Sequence, residues 1–376
     1  MKNELRPPQT RRKNKARILN YIFLHGRVSK TDLAADLRLS MPTVLQNVKE
    51  LTDAGFLAEA GNYQSTGGRK AKALSVAADC CYAVGVDITA NHIGLVLVDA
   101  AGKILADTRL KKRYEDTFQY YQEIGGLIEN FIQNNSGTAA HKDRITGIGV
   151  SIPGIIDKGS NLLVQSQVLD VSNVSLRKMS QFLPYAVKFD NDANCAAYSE
   201  LSGSDTNAVY LSLNNTVGGA VSYNGKLYEG DNFKSGEFGH VIIVPNGKRC
   251  YCGKFGCLDC YCSALALSSN TDGSLEKYFE ELDRGDPRIR KTWDEYLGYL
   301  ALAVSNLRMA FDCDVIVGGY VGGYLKSHMM ELSRLVMQNN KFDVDTSYLR
   351  CSGYHMEASA YGIARRLLQD YYEAVE

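Results

Sequence analysis

The sequence predicts a mixed α/β protein in which a small, mostly helical N-terminal module precedes a larger body of alternating strands and helices. Three observations support this prediction. The chain has 376 residues, of which 45% are hydrophobic, so it can form two or three domains with separate cores. Apolar residues recur at helical spacing before Gly55, whereas short apolar runs between turns dominate after Tyr82. Charge also changes along the chain.

The formal net charge is zero, but its distribution is uneven. Residues 1–72 contain 14 Lys and Arg against 6 Asp and Glu, which leaves 28 against 36 for the remainder. A basic module of this kind is typical of nucleic-acid binding, although a merely solvated charged face gives the same pattern. Charge alone therefore leaves both interpretations open.

No apolar run approaches the roughly 18 residues of a membrane span. Met1–Arg17 is polar and basic, without the apolar core of a signal peptide. We therefore expect a cytoplasmic protein with no membrane partner.

The first predicted helix is Lys13–His25, which Gly26 ends. Ser29 and Asp32 then form a capping pattern at the start of a second helix, and a tight turn follows it. The apolar face of the first helix consists of Ile18, Leu19, Ile22 and Phe23.

A third helix is predicted from Ser40, a favourable N-cap, to Gly55, with Pro42 tolerated in its first turn. Val44, Val48 and Leu51 recur on one face, which leaves the other face free for base edges or phosphates. The candidate DNA contacts at its start and on this face are Ser40, Thr43, Gln46, Asn47 and Lys49.

Two strands, Phe56–Ala60 and Ala71–Val76, are predicted around the glycine-containing loop Gly61–Lys70. This order is typical of a winged helix-turn-helix, whose wing would offer Arg69 to the DNA. Small three-helix modules also serve as plain interaction domains. This chain, however, resembles the DNA-binding domain of ROK-family repressors at Leu39–Val44 and Thr66–Arg69. We expect this domain to span residues 1–78.

In the body, a long helix is predicted over Phe118–Gln133, and short apolar runs predict strands on both sides of it. This alternation predicts an α/β fold. The predicted strands are Tyr82–Val86, Ile93–Val98, Lys103–Arg109, Ile145–Ser151, Ala208–Leu213, Gly219–Tyr223 and Val315–Val317.

Ser235–His240 followed by Cys250–Cys257 resembles the signature of the ROK family, which contains sugar kinases and repressors. Further matching segments are Gly147–Asp157, Asn191–Asn194 and Gly318–Gly319. The resemblance implies a two-lobed body of the actin, Hsp70 and sugar-kinase type, a ribonuclease H-like fold. We expect residues 79–190 to form the first lobe, with a C-terminal helix at about 355–376 packed back on it, and residues 191–354 to form the second.

Five of the ten cysteines lie between Cys250 and Cys262, where many disulfide pairings would have poor geometry. Three thiolates and one imidazole match a closed, structural zinc site in the second lobe, although buried cysteines can also act as small hydrophobic residues. Cys260 and Cys262 lie outside the family's ligand set, and we expect them to be packing residues or spare thiols, with exchange as metal ligands left open. The predicted Zn²⁺ ligands are His240, Cys250, Cys252 and Cys257.

The resemblance also implies a sugar site between the lobes, in which carboxylates and amides bind hydroxyl groups. With one ring nitrogen on the metal, His240 would direct the other at the sugar. Asp259 stands where the family has a longer Glu, and the polar residues could instead satisfy only one another. The candidate ligand contacts are Gly154, Asn191, Asp192, Glu237, His240 and Asp259.

The phosphate-binding loops depart from the pattern of sugar kinases. Asp87–His92 and Asn214–Gly218 lack glycines where a phosphate must approach the backbone closely. Gly318–Gly319 is then a structural remnant of a nucleotide site, and Asp192 would be a catalytic base only in a kinase.

We therefore expect a non-enzymatic repressor of carbohydrate genes that binds operator DNA as a homodimer, or as a tetramer, and responds to a sugar effector. Two alternatives stay open. One is an ATP-dependent sugar kinase, and the other is a regulator controlled by a protein partner while the cleft stays empty.

Overall fold

The computed structural model describes residues 7–62, 72–135, 143–201, 206–354 and 356–375. Strands in these residues form two five-stranded sheets, one three-stranded sheet and one two-stranded hairpin. None of the described helices is long and apolar enough to cross a membrane.

The N-terminal module consists of three helices and a hairpin. They are α1 (Pro7–His25), α2 (Lys30–Asp36), α3 (Met41–Asp53), β1 (Leu57–Asn62) and β2 (Lys72–Val76). Helix α1 begins six residues before the predicted start, because prolines are tolerated in a first turn. Ser29 and Asp32 form the predicted capping box: the Ser29 hydroxyl accepts from the Asp32 N–H at 3.1 Å, and the Asp32 carboxylate accepts from the Ser29 N–H at 2.8 Å.

The first half of the body has a five-stranded sheet in the order β10-β6-β3-β4-β5. Its elements are β3 (Tyr82–Ile88), β4 (His92–Asp99), β5 (Ile104–Lys111), α4 (Phe118–Asn135), β6 (Ile145–Ile152), β7 (Ile155–Asp157), β8 (Leu162–Ser166), β9 (Val171–Ser175), α5 (Arg177–Ser180) and β10 (Val187–Asn191). Strands β7, β8 and β9 form the three-stranded sheet, which the sequence pattern does not predict because its strands are only three to five residues long.

The second half has a sheet in the order β13-β12-β11-β14-β15. Its elements are α6 (Asp192–Leu201), β11 (Ala208–Leu213), β12 (Val217–Tyr223), β13 (Lys226–Leu227), α7 (Asp259–Cys262), α8 (Ala264–Ser268), α9 (Leu275–Asp283), α10 (Pro287–Phe311), β14 (Asp314–Gly318), α11 (Gly319–Leu325), α12 (Met329–Asn339) and β15 (Leu349–Cys351). The last described helix is α13 (Ala358–Glu373). Strand β11 lies antiparallel to β12 and parallel to β14, which brings the ends of β11 and β14 to one edge.

Helix α13 packs against strands β3 and β6 and against helix α6. The approach is close enough to require glycine at two points. A Cβ on Gly85 would lie 1.8 Å from the backbone oxygen of Ala360, and one on Gly362 would lie 1.8 Å from that of Cys195. The limits of the three predicted domains stay predictions.

The core of the N-terminal module is continuous with the core beneath α13. The Phe23 ring of α1 packs edge-on against the Tyr372 ring of α13, with centroids 5.1 Å apart. The Tyr372 hydroxyl in turn donates to the carbonyl of Ala100, which follows β4. The module therefore rests on an apolar surface of the body and is not joined by the connecting segment alone.

Candidate functional sites

The outer face of helix α3 carries both polar and apolar exposed residues. Ser40 caps the helix, and its hydroxyl lies 2.8 Å from the Thr43 hydroxyl. Gln46 and Lys49 are exposed on the outer face. These residues stay free to approach a DNA groove from the solvent side.

Asn47 does not belong to this surface, so its prediction as a DNA contact is wrong. Its side chain is 3% exposed, and its amide donates to the Thr43 carbonyl at 2.7 Å. Two apolar residues take part in the outer face instead: Met41 is 37% exposed and Leu45 is 46% exposed. An apolar side chain in the major groove can contact a thymine methyl group. In the sequence, Met41 and Leu45 stand out only as apolar residues that fall outside the buried repeat of α3.

Replacing Asn47 with Ala should therefore alter stability and not base preference. We expect a loss of about 1 kcal/mol in the free energy of unfolding, the usual effect of removing one internal hydrogen bond. Urea unfolding measures this loss, and binding to DNA variants measures preference. A changed base preference with unchanged stability would restore Asn47 to the DNA surface.

Arg69, the predicted wing contact, lies outside the described residues. Its role stays a prediction.

The four predicted metal ligands come together in the second half of the body. His240, Cys250, Cys252 and Cys257 offer ligand atoms that all lie within 4.8 Å of one another. The sulfurs of Cys252 and Cys257 are 3.7 Å apart, and the Cys250 sulfur is 3.7 Å from Nδ1 of His240. A tetrahedral ion with metal–sulfur bonds of about 2.3 Å separates two sulfurs by about 3.8 Å. The residues therefore fit zinc.

Each ring nitrogen of His240 faces a different site. Nδ1 faces the thiols, whereas Nε2 lies 4.0 Å from the Glu237 carboxylate and 3.5 Å from the Tyr251 hydroxyl. His240 thus lies between the metal group and the cavity that Glu237 and Tyr251 line. A metal on Nδ1 would fix the orientation of Nε2.

A cavity of about 360 Å³ lies where the segments after β6 and β10 meet the segment before the metal group. Five of the six predicted ligand residues line it, namely Gly154, Asn191, Asp192, Glu237 and His240. This volume is within the range of small-molecule sites. Polar groups from both sheets therefore converge on one space.

Asp259 does not line this cavity, so its predicted contact with a ligand has no support from this arrangement. It is 6% exposed, and its carboxylate accepts a hydrogen bond of 2.5 Å from the Val217 N–H. Burial raises the pKa of Asp259 to about 6, and the Val217 N–H opposes that rise. The short side chain of Asp259 therefore bonds to the backbone at the start of β12 and does not extend into the cavity.

Asn191 and Asp192 have different roles in the cavity wall. The Asn191 oxygen accepts from the N–H groups of Ala193 and Asn194, and its amide donates to the Gly154 carbonyl. Asn191 therefore keeps one N–H for a ligand while it holds the first turn of α6. Burial raises the pKa of Asp192, and burial together with the Asp192 charge raises the pKa of Glu237.

The cavity wall contains an ion-paired lysine that the sequence pattern does not predict. Lys158 pairs with Asp190 at 2.6 Å and with Glu229, which follows β13. The lysine comes from the first half of the body and Glu229 from the second, so their pair joins the halves beside the cavity. Two aromatic rings, Phe233 and Tyr251, also line the space and could pack against the apolar face of a ligand.

On the other side of the cleft, the space between Asp87–Asn91 and Asn214–Thr216 has a volume of about 60 Å³, and a neighbouring space of about 380 Å³ lies beside Asp87, Thr89 and Arg109. The Arg109 guanidinium lies 4.8 Å from the centre of the Tyr320 ring and donates to its hydroxyl at 2.8 Å. The Asn214 oxygen accepts the Tyr320 N–H at 2.9 Å, at the start of α11. Arg109 on β5 and Tyr320 on α11 thus connect the two halves of the body across this side.

Two family models match the chain. The ROK family model matches residues 83–365, and a winged helix-turn-helix DNA-binding model matches residues 11–58. Among curated relatives, a putative xylose repressor of Caldicellulosiruptor sp. (strain Rt8B.4) is 28% identical over 90% of each chain. The xylose repressor of Bacillus subtilis is 26% identical, over 86% of this chain and 85% of the relative.

Solved structures show the same architecture. A ROK family transcriptional regulator, a homologue of the Escherichia coli MLC protein, gives a TM-score of 0.76 at 21% identity, covering 97% of this chain and 98% of the other. A ROK family glucokinase from Streptomyces griseus, solved with glucose and AMPPNP, gives a TM-score of 0.59 at 22% identity. This match covers 75% of this chain and 98% of the glucokinase. The predicted fold class, a winged helix-turn-helix followed by a kinase-like body, is confirmed.

Proposed function

This chain belongs to the ROK family, and on that basis we propose that it is a transcriptional repressor whose binding to operator DNA is controlled by a sugar. The observation that carries the proposal is the presence, in one chain, of an exposed polar face on α3 and a cavity lined by Asn191, Asp192, Glu237 and His240. The relatives named as xylose repressors support the same function.

The cavity suits an uncharged, hydroxyl-rich ligand. Carboxylates accept hydroxyl protons, the spare N–H of Asn191 donates, and aromatic rings cover apolar faces. Because Lys158 and Glu229 reach the cavity from different halves of the body, a sugar there would contact both halves. Such a ligand favours one arrangement of the halves to the extent of its affinity difference.

The nucleotide side of the cleft supports a non-enzymatic role. The space lined by both loops and by Gly319 has a volume of about 60 Å³, whereas a neighbouring space of about 380 Å³ lies beside Asp87 and Thr89 on the first half alone. Asn214 accepts the N–H of Tyr320, one of the backbone groups that a phosphate at the start of α11 would need. Asp192 then serves as a ligand contact and not as a catalytic base.

We assign a structural zinc ion to His240, Cys250, Cys252 and Cys257. When bound, zinc would hold the Cys250–Cys257 segment against His240 and so fix one wall of the cavity. We further propose that the protein acts in the cytoplasm as a homodimer, in which two modules bind two half-sites and gain affinity through effective concentration.

Calorimetric titration of the zinc-loaded protein with xylose, glucose, N-acetylglucosamine and N-acetylmannosamine tests the sugar site. We expect one sugar to bind, and Glu237→Gln to weaken its binding. The sugar that binds is then incubated with the protein and ATP. Sugar-dependent ADP release that Asp192→Asn abolishes would show a kinase, and no binding by any of the four sugars would favour control by a protein partner.

A further inference from the structure

Two adjacent cysteines occupy the segment that connects the N-terminal module to the body. Cys80 and Cys81 lie between the end of β2 and the start of β3. Their sulfurs are 3.9 Å apart. Cys80 is half-buried, whereas Cys81 is 2% exposed. Neither residue belongs to the metal group.

The buried thiol contacts the surface on which the module rests. The Cys81 sulfur lies 3.7 Å from the Tyr372 hydroxyl, and the Tyr372 ring packs against Phe23 of the module. The backbone of the connecting segment is tied to the same place, because the Ala100 N–H donates to the Ala78 carbonyl at 3.1 Å. A displacement of Cys81 would therefore disturb both Tyr372 and the packing of α1 against it.

We propose that Cys80 and Cys81 form an oxidation site, at which a peroxide converts the two thiols into a disulfide and loosens the N-terminal module from the body. The Cys80 thiolate attacks one peroxide oxygen, the O–O bond breaks, and Cys80 becomes a sulfenic acid as water is released. The Cys81 sulfur then attacks the Cys80 sulfur, the S–O bond breaks, and a second water leaves with the Cys81 proton. Two thiols and one peroxide give one disulfide and two waters.

The order of attack follows from the environments of the two thiols. The hydrogen bond between them is the largest cause that lowers the pKa of Cys80, and it raises the pKa of Cys81. Because the thiolate is the reactive form, the more exposed Cys80 reacts first. The buried Cys81 resolves the intermediate.

Ring closure must change the backbone of the connecting segment. Adjacent Cα atoms are about 3.8 Å apart across a trans peptide, whereas disulfides ordinarily join Cα atoms about 4.4–6.8 Å apart. The segment therefore has to rearrange, and the two sulfurs must move from 3.9 Å to bonding distance next to Tyr372. A disulfide closed under such constraint is readily reduced again, which makes the site reversible.

The test uses the full-length, zinc-loaded protein treated with one equivalent of hydrogen peroxide. Peptide mass spectrometry should find the peptide with Cys80 and Cys81 lighter by two hydrogen atoms, and dithiothreitol should restore it. Amide hydrogen exchange over residues 18–23 of α1 should show a loss of protection in the oxidised protein. Cys80→Ser should abolish both effects, whereas Cys351→Ser, which removes a half-buried thiol elsewhere, should abolish neither.

Three results would overturn the proposal. They are a sulfinic acid on Cys80 without a disulfide, oxidation confined to the metal-binding cysteines, or a Cys80–Cys81 disulfide with unchanged exchange in α1. If Cys80→Ser folds poorly, Cys80→Ala provides the same comparison without a new hydroxyl. No readout requires the sugar, so failure here is distinguishable from failure of the proposed function.

Discussion

Cys252→Ser should lose its zinc and with it the response to sugar. Removing one of three thiolates leaves an incomplete tetrahedral set, because a serine hydroxyl stays protonated where a thiol gives a thiolate. The Cys250–Cys257 segment would then no longer fix His240, whose Nε2 faces the cavity. We expect zinc content to fall from one ion per chain to nearly none and sugar affinity to fall by about 10- to 100-fold.

Cys260→Ser is the matched control for this prediction. Cys260 is partly buried and follows Cys257 by three residues, but it lies outside the group of four. Metal analysis of the purified proteins should find full zinc in the control and little in Cys252→Ser. Full zinc occupancy in Cys252→Ser would show that the ligand set is wrong. Normal sugar binding by a zinc-free variant would show that the metal does not support the cavity.

Gln46→Ala and Lys49→Ala should weaken DNA binding in two different ways. Both side chains are exposed on α3, but an amide can read a base edge, whereas an ammonium pairs with phosphate. We expect Gln46→Ala to cost about 1–3 kcal/mol and to relax preference at one base pair. We expect Lys49→Ala to weaken all sequences equally and to reduce the salt dependence by about one phosphate contact.

These measurements use a DNA fragment that the full-length protein selects from a random pool, with fluorescence anisotropy at several salt concentrations. Asn47→Ala is the internal comparison, because Asn47 lies on the same helix but faces the core. If the wild type and Gln46→Ala have the same base preference, Gln46 does not contact base edges. An unchanged salt slope in Lys49→Ala would remove Lys49 from the phosphate contacts.

The sequence predicts elements whose signal is local. The capping box at Ser29, the apolar repeat of α3 and the spacing of the cysteines each lie within about 20 residues, so a single stretch of chain carries them. Asn47 shows the precision of such patterns. Val44 and Val48 establish the buried face, but periodicity alone does not decide whether their neighbour Asn47 lies inside or outside its edge.

Contacts between distant segments could not be predicted in this way. Arg109 and Tyr320 are 211 residues apart, and Lys158 and Glu229 are 71 apart, yet both pairs connect the halves of the body. The position of Asp259 outside the cavity lining has a related reason. Transfer from the family matched the position, but one missing methylene allows the Val217 N–H to satisfy the carboxylate away from the cavity.

The central claim is that a sugar in the cavity changes the binding of the N-terminal module to DNA. The most direct measurement is the affinity of the full-length protein for its selected DNA fragment, with and without the sugar that binds in calorimetry. We predict that this sugar weakens DNA binding, and that Glu237→Gln keeps the affinity measured without sugar but loses the response. DNA affinity that stays the same at saturating sugar, or a full response in Glu237→Gln, would contradict the account.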